Sequence, residues 1–181
     1  AEAGLGSGKH TLTAKFVGTD NMAAQTGAVE VTINPASIST ANVTVNGGPF
    51  IYTGSPITPD VTVTWNGTQL IKDTNYTLAY ENHTNVGTAT VTVTGTGNYT
   101  GTANQTFTIG KATPQPTTPS GLTAVYGSTL KDISLPSGWA WDAPDISVGD
   151  VGEKSFAATY TQDNSGNYNT VQQNLTVKVT P

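Results

Sequence analysis

The sequence contains no cysteine and no arginine, and only 10% of its 181 residues are charged. The absence of cysteine excludes a disulfide scaffold and any thiolate metal site. The net charge is −5, and the few lysines are scattered, so the chain lacks the clustered cations that bind nucleic acid or attract a protein to a membrane surface. No apolar run reaches the roughly 18 residues of a membrane span. We therefore expect neither nucleic-acid binding nor membrane insertion.

The sequence also lacks the apolar stripe of an amphipathic helix, and glycine and proline interrupt it frequently. Apolar and polar residues alternate along the chain instead. Val61, Val63 and Trp65 share one face of a predicted strand, and threonines occupy the other face. Alternating β-branched residues are typical of half-buried strands. Short strands with frequent turns and no helix predict an all-β protein built from antiparallel β-sandwich modules.

One strand–turn–strand pattern occurs three times, at 8–33, 86–109 and 151–179. The second and third copies carry Gly-Asn-Tyr between their strands, at 97–99 and 166–168. Gly-Asn supplies positive φ at low cost, which predicts tight turns there. We expect the tyrosine rings to cover the end of the sandwich rather than to bind a ligand. A hairpin that recurs at module spacing predicts a tandem array.

Two proline-bearing segments divide the chain. Pro35 follows the first hairpin, and the segment 110–119, with three prolines within six residues, follows the second. The sequence therefore predicts the closing strand pair of a truncated preceding module at 1–35 and complete modules at 36–110 and 111–181. The second linker is expected to be extended and semi-rigid. A lone hairpin is marginal in water, so we expect 1–35 to pack on another copy or on the rest of its own module within a longer secreted protein.

The tryptophans are the candidate ligand-binding residues. Trp139 and Trp141 are two positions apart and share a face of a predicted strand, where paired rings could stack on a sugar. The alternative is that both are core residues, since a small module needs large apolar side chains. Trp65 alternates with valines and is expected in the core.

The sequence offers few other residues that could hold a metal or catalyse a reaction. An acidic cluster between Asp142 and Glu153 could hold calcium, but its spacing matches no calcium loop and favours a solvated loop. His10 and His83 match no metal-binding spacing. No nucleophile, carboxylate pair or phosphate loop lies in a recognisable catalytic frame. We expect no enzyme activity, no cofactor and no metal.

Each predicted module carries a series of short motifs. Those in the middle module are Tyr52-Thr53-Gly54, Thr58-Pro59, Asp73-Thr74-Asn75-Tyr76-Thr77, Asn85-Val86-Gly87-Thr88-Ala89 and Gly97-Asn98-Tyr99-Thr100-Gly101-Thr102. Those in the last module are Tyr126-Gly127, Leu135-Pro136-Ser137-Gly138-Trp139-Ala140-Trp141, Val151-Gly152, Ala158-Thr159-Tyr160 and Asn167-Tyr168. Through these motifs the middle module resembles the bacterial Ig-like repeats of Gram-positive surface proteins, and the last module resembles a second repeat type from the same proteins.

The resemblance implies an extracellular, wall-attached or secreted bacterial protein, often an adhesin or a multidomain glycan-processing enzyme. We expect a non-catalytic stalk or spacer whose partners are neighbouring modules of the same polypeptide. Two alternatives remain open. The modules could bind a host glycan or glycoprotein directly, or they could be accessory modules of a glycoside hydrolase.

Overall fold

The computed structural model describes residues 4–181, and in that part of the chain every regular element is a β-strand except for one 3-10 helix. The 3-10 helix is Leu130–Asp132. The strands are β1 (Gly8–Phe16), β2 (Gln25–Ile33), β3 (Ala36–Ser37), β4 (Asn42–Val45), β5 (Phe50–Ile51), β6 (Val61–Trp65), β7 (Thr68–Gln69), β8 (Tyr76–Glu81), β9 (Gly87–Gly95), β10 (Tyr99–Thr100), β11 (Thr102–Gly110), β12 (Leu122–Val125), β13 (Trp139–Trp141), β14 (Gly152–Tyr160) and β15 (Val171–Thr180). The predicted all-β class is confirmed.

The alternation in the sequence produces strands with one buried face. In β9, Ala89, Val91 and Val93 are fully buried, whereas the threonines between them are exposed or half-buried. In β15, Leu175, Val177 and Val179 are buried between exposed polar residues. Successive side chains of a strand point to opposite faces, so this pattern requires a core on one side only.

The strands form several small sheets. Two four-stranded sheets have the orders β5-β11-β9-β8 and β12-β15-β14-β13. A three-stranded sheet has the order β4-β6-β7, and β1-β2 and β3-β10 form two-stranded sheets. Several sheets around buried apolar clusters are consistent with a β-sandwich.

Both four-stranded sheets combine parallel and antiparallel pairs, so the predicted antiparallel pairing is confirmed only in part. β12 runs parallel to β15, with Leu122 opposite Val177 and Val125 opposite Thr180. β5 runs parallel to β11, and β3 runs parallel to β10. A parallel pair needs a long connection, and the chain between β12 and β15 supplies one because it contains β13 and β14.

The chain divides into two compact units. The first comprises the residues up to Gly48, Ile57–His83 and Thr88–Phe107, and the second comprises Pro49–Pro56, Thr84–Gly87 and Thr108–Pro181. A buried cluster in the first unit contains Ile38, Val43, Val63, Leu70, Tyr76, Val93 and Ala103. The cluster in the second unit contains Leu130, Ile133, Trp139, Trp141, Val148, Ala158, Leu175, Val177 and Val179. The module limits at 35/36 and 110/111 stay a prediction.

The three predicted hairpins share a detailed geometry. Their first strands, β1, β9 and β14, are each nine residues long and begin at a glycine. Gly8, Gly87 and Gly152 have φ values of 130°, 139° and 125°, a conformation that side-chain-bearing residues rarely adopt. The register also recurs, because Gly8 pairs with Ile33 and Gly152 pairs with Val179. The three hairpins therefore share the length and the starting glycine of their first strand, and the first and third also share their register.

Candidate functional site

Asn167 is the buried polar residue within residues 4–181, with 6% of its surface exposed. Its side-chain Oδ1 accepts a hydrogen bond from the Val86 backbone N–H at 2.9 Å, and its Nδ2 donates to Asn85 Oδ1 at 3.0 Å. Its backbone carbonyl accepts from the Ala112 N–H at 3.0 Å. A buried amide without partners would be costly, and these bonds remove that cost. Asn167 thereby ties 85–86 and Ala112 to one turn within the second unit.

Aromatic and polar contacts surround this turn. The Tyr168 ring lies edge-on to Tyr52, with ring centroids 5.3 Å apart and planes at 85°. Lys111 Nζ donates to the Ser165 carbonyl at 3.0 Å. The positive φ of the turn is at Asn164, at 61°, so the expectation that Gly166-Asn167 supplies it is wrong. The Asn167 side chain is used for binding backbone rather than for turning the chain.

The same joint occurs in the first unit. The Ser7 N–H donates to Asn98 Oδ1 at 2.6 Å, and the Ala36 N–H donates to the Asn98 carbonyl at 2.9 Å. The donors correspond by position, since Ser7 directly precedes Gly8 and Val86 directly precedes Gly87. We call each set an asparagine joint: Ser7, Ala36 and Asn98 form the first joint, and Asn85, Val86, Ala112 and Asn167 form the second.

Each asparagine joint connects one repeat to the next along the chain. Its two backbone donors flank one hairpin, and its asparagine belongs to the Gly-Asn-Tyr segment of the following hairpin. An amide offers one acceptor oxygen and two donor hydrogens and neither gains nor loses a proton near neutral pH. The joint therefore suits holding backbone segments in register and does not suit acid–base chemistry.

Both candidate ligand-binding tryptophans lie in the core of the second unit. Trp139 and Trp141 are each 8% exposed, and Trp141 Nε1 donates to the Ile133 carbonyl at 3.1 Å. Trp141 lies edge-on to Phe156, and Trp139 packs against Tyr160. Stacking on a sugar needs an accessible ring face, which neither indole offers here. The structure favours the core alternative for this pair.

The acidic side chains between Asp142 and Glu153 lie beside different residues. Asp142 accepts a hydrogen bond from Thr159 Oγ1 at 2.7 Å, and Asp145 lies 2.9 Å from Lys131 Nζ. Glu153 is opposite Lys178 on the neighbouring strand. Among residues 4–181, no three His, Asp or Glu side chains are grouped so that they could hold a metal ion.

A cavity of about 690 Å³ in the first unit is lined in part by Asp60, Lys72, Tyr76 and Tyr80. Burial raises the pKa of both tyrosines above the ordinary value of 10.0. Their hydroxyls are therefore protonated at neutral pH. Tyr76 donates to the Val61 carbonyl and Tyr80 to the Pro59 carbonyl. Both phenols are thus engaged in holding backbone.

No protein-family model matches the chain, and no curated protein and no solved structure shows a significant match to it. No helix within residues 4–181 is long and apolar enough to cross a membrane.

Sequence reasoning missed the role of the two asparagines, because Gly-Asn is a familiar turn signal. The signal that could have identified them was their identical placement in two repeats, each between paired strands.

Proposed function

We propose that the chain is a non-catalytic spacer segment, composed of tandem Ig-like modules, in an extracellular bacterial surface or secreted protein that presents other domains. The observation that carries the proposal is the parallel pairing of the first and last strands of the second unit's main sheet. β12 and β15 pair over four residue positions, from Leu122–Val177 to Val125–Thr180.

This pairing determines how the sheet responds to tension along the chain. Tension pulls β12 toward its N-terminal end and β15 toward its C-terminal end. Since the strands are parallel, these forces slide one strand along the other, and every hydrogen bond between them is loaded at once. An antiparallel pair pulled at neighbouring ends would instead lose its bonds one after another. β5 and β11 repeat the parallel arrangement.

The asparagine joints give a second support. A spacer made of repeats needs connections that survive when the chain is under load. In the second joint, three hydrogen bonds converge on one buried residue, Asn167. The two side-chain bonds are part-buried, so water competes less with them than with exposed bonds, and leaving the buried Asn167 amide without partners would be costly.

Single-molecule force spectroscopy tests the proposal. The chain is held by its two ends, and the unfolding force of the second unit is compared with that of two proline variants. The Tyr126 N–H donates to the Thr180 carbonyl at 2.9 Å, so N–H groups at even-numbered positions of this edge strand face β15. Ala124→Pro removes one N–H that faces β15 and so removes a hydrogen bond between the two strands, whereas Val125→Pro removes an N–H that faces away from β15.

We expect Ala124→Pro to lower the unfolding force clearly and Val125→Pro to leave it nearly unchanged. Equal forces for the two variants would contradict the proposed mechanism. A low unfolding force for the unmodified second unit, together with specific retention of the chain on a glycan array, would favour adhesion over a spacer role.

A further inference from the structure

The hairpin β1–β2 exposes a face that its structural counterpart buries. Leu12, Phe16, Val29 and Val31 are 47%, 43%, 57% and 37% exposed, although they alternate along the strands as core residues do. Scattered apolar residues are ordinary on a protein surface, but a contiguous apolar face marks an interaction site. The paired strands of this hairpin also have unpaired outer edges within residues 4–181.

The counterpart is the hairpin β14–β15. Both begin at a positive-φ glycine and pair over nine positions in the same register. Counting from Gly8 and Gly152, the inward positions of the first strand correspond as Leu12 with Phe156, Ala14 with Ala158, and Phe16 with Tyr160.

The second strands correspond in the same way. The register places Val29, Val31 and Ile33 at the positions of Leu175, Val177 and Val179. Leu175, Val177 and Val179 are at most 1% exposed. Equivalent apolar positions are therefore covered in one copy and open in the other.

Residues 120–151 cover the face in the buried copy. They supply β12 parallel to β15, β13 antiparallel to β14, and the core residues Leu130 and Val148. In the sheet β5-β11-β9-β8, β5 runs parallel to β11 and β8 lies antiparallel to β9. These two strands therefore occupy the edges that β12 and β13 occupy in the other four-stranded sheet. In both sheets the flanking strands precede the hairpin in the chain.

The hairpin has room for the largest of these covering side chains. Trp141 is opposite Ala158 in the β13–β14 register, so a large side chain lies beside a small one. Ala14 occupies the position of Ala158, and it pairs with Gly27. A shallow, open depression of about 370 Å³ lies here, lined by residues 12–14 and 27–29.

We propose that the β1–β2 hairpin is a strand-accepting surface, completed by a segment with the chemistry of residues 120–151 that lies N-terminal to it in the same polypeptide. That segment adds one strand parallel to β2 and one antiparallel to β1, and an aromatic side chain of the second strand lies beside Ala14. The inference rests on the internal repeat and not on the spacer function, so either can fail without the other.

A fusion tests the inference. A copy of residues 120–151 is joined directly to Gly8 of the chain, which reproduces the junction between Val151 and Gly152. The control fusion carries Trp139→Ser and Trp141→Ser in the added copy only. Hydrogen exchange of the amides in 8–33 is measured by mass spectrometry. A peptide of residues 120–151 added to the unmodified chain gives a second measurement that does not depend on the fusion folding.

We expect the fusion to slow exchange in β1 and β2 by at least about tenfold and the control fusion to leave it unchanged. Unchanged exchange with both the fusion and the peptide would overturn the inference. It would also be overturned if the unmodified chain formed a dimer that protects 8–33 and that Leu12→Asp abolishes, because the occupant would then be a second copy.

Discussion

Removing the Trp141 side chain should destabilise the second unit severely. Trp141→Ala deletes a residue that is 8% exposed and that packs edge-on against Phe156 at 6.2 Å between ring centroids. Such large-to-small changes in a core cost about 3–5 kcal/mol. Within that total, the aromatic contact contributes about 0.5–1.5 kcal/mol. The change also leaves the Ile133 carbonyl without the indole donor, which costs about 1–3 kcal/mol.

This loss is large compared with the stability of a small β unit. At about 0.05–0.15 kcal/mol per residue, a unit built mainly from Thr108–Pro181 is stable by roughly 4–11 kcal/mol. Trp141→Phe keeps a ring and removes only the N–H and part of the volume, so we expect a loss of about 1–3 kcal/mol. Tyr126→Ala is the surface control, because Tyr126 is 62% exposed and should change stability by less than about 0.5 kcal/mol.

The assay is equilibrium unfolding in urea followed by far-ultraviolet circular dichroism, with the slope of the transition compared between variants. The expected order of stability is unmodified chain and Tyr126→Ala, then Trp141→Phe, then Trp141→Ala. A loss below about 1 kcal/mol for Trp141→Ala would refute the core assignment, and acquired or lost binding on a glycan array would then support a ligand role.

Three further predictions concern the joint, a hairpin glycine and an acidic residue. Asn167→Ala should cost about 1–3 kcal/mol in urea unfolding because it leaves the Val86 backbone N–H without its acceptor and Asn85 Oδ1 without its donor, and Asn98→Ala at the exposed joint should cost less. Gly152→Ala should cost about 1–3 kcal/mol because φ is 125°, although a Cβ there would meet no neighbouring atom. The Thr129 backbone N–H and hydroxyl donate to the Asp132 carboxylate and lower its pKa below 3.8. That stabilisation is present above the ordinary pKa and is lost as pH falls through the lowered one, so the deficit of Asp132→Asn in thermal unfolding should shrink below about pH 4.

Local structure was largely predictable from the sequence, because alternation and turn residues act over a few positions. The three hairpins and the strand at Trp139–Trp141 lie where alternation predicts them. The 3-10 helix at Leu130–Asp132 has no counterpart in the alternation, and its end is closed by the Ile133 N–H, which donates to the Leu130 carbonyl.

Which segments pair over long sequence distances, and in which direction, was not predictable. Whether β12 pairs parallel or antiparallel depends on residues about 50 positions away, and no local pattern encodes that. The burial of Asn167 likewise depends on 85–86 and Ala112, which are remote from it in the sequence. Gly-Asn-Tyr is compatible with an exposed and with a buried asparagine, and of the two joints the first has the exposed Asn98 and the second the buried Asn167.

Two pulling geometries test whether the parallel pairing of β12 with β15 lets the second unit resist tension. The chain has no cysteine, so pairs of introduced cysteines give unique handles. Gly121→Cys with Pro181→Cys loads the parallel pair β12–β15 along the strands, and Val151→Cys with Pro181→Cys opens the antiparallel pair β14–β15 from its end. We expect a clearly higher unfolding force for the first geometry, because it loads all hydrogen bonds of the parallel pair together. Equal forces, or a higher force for the second geometry, would contradict it.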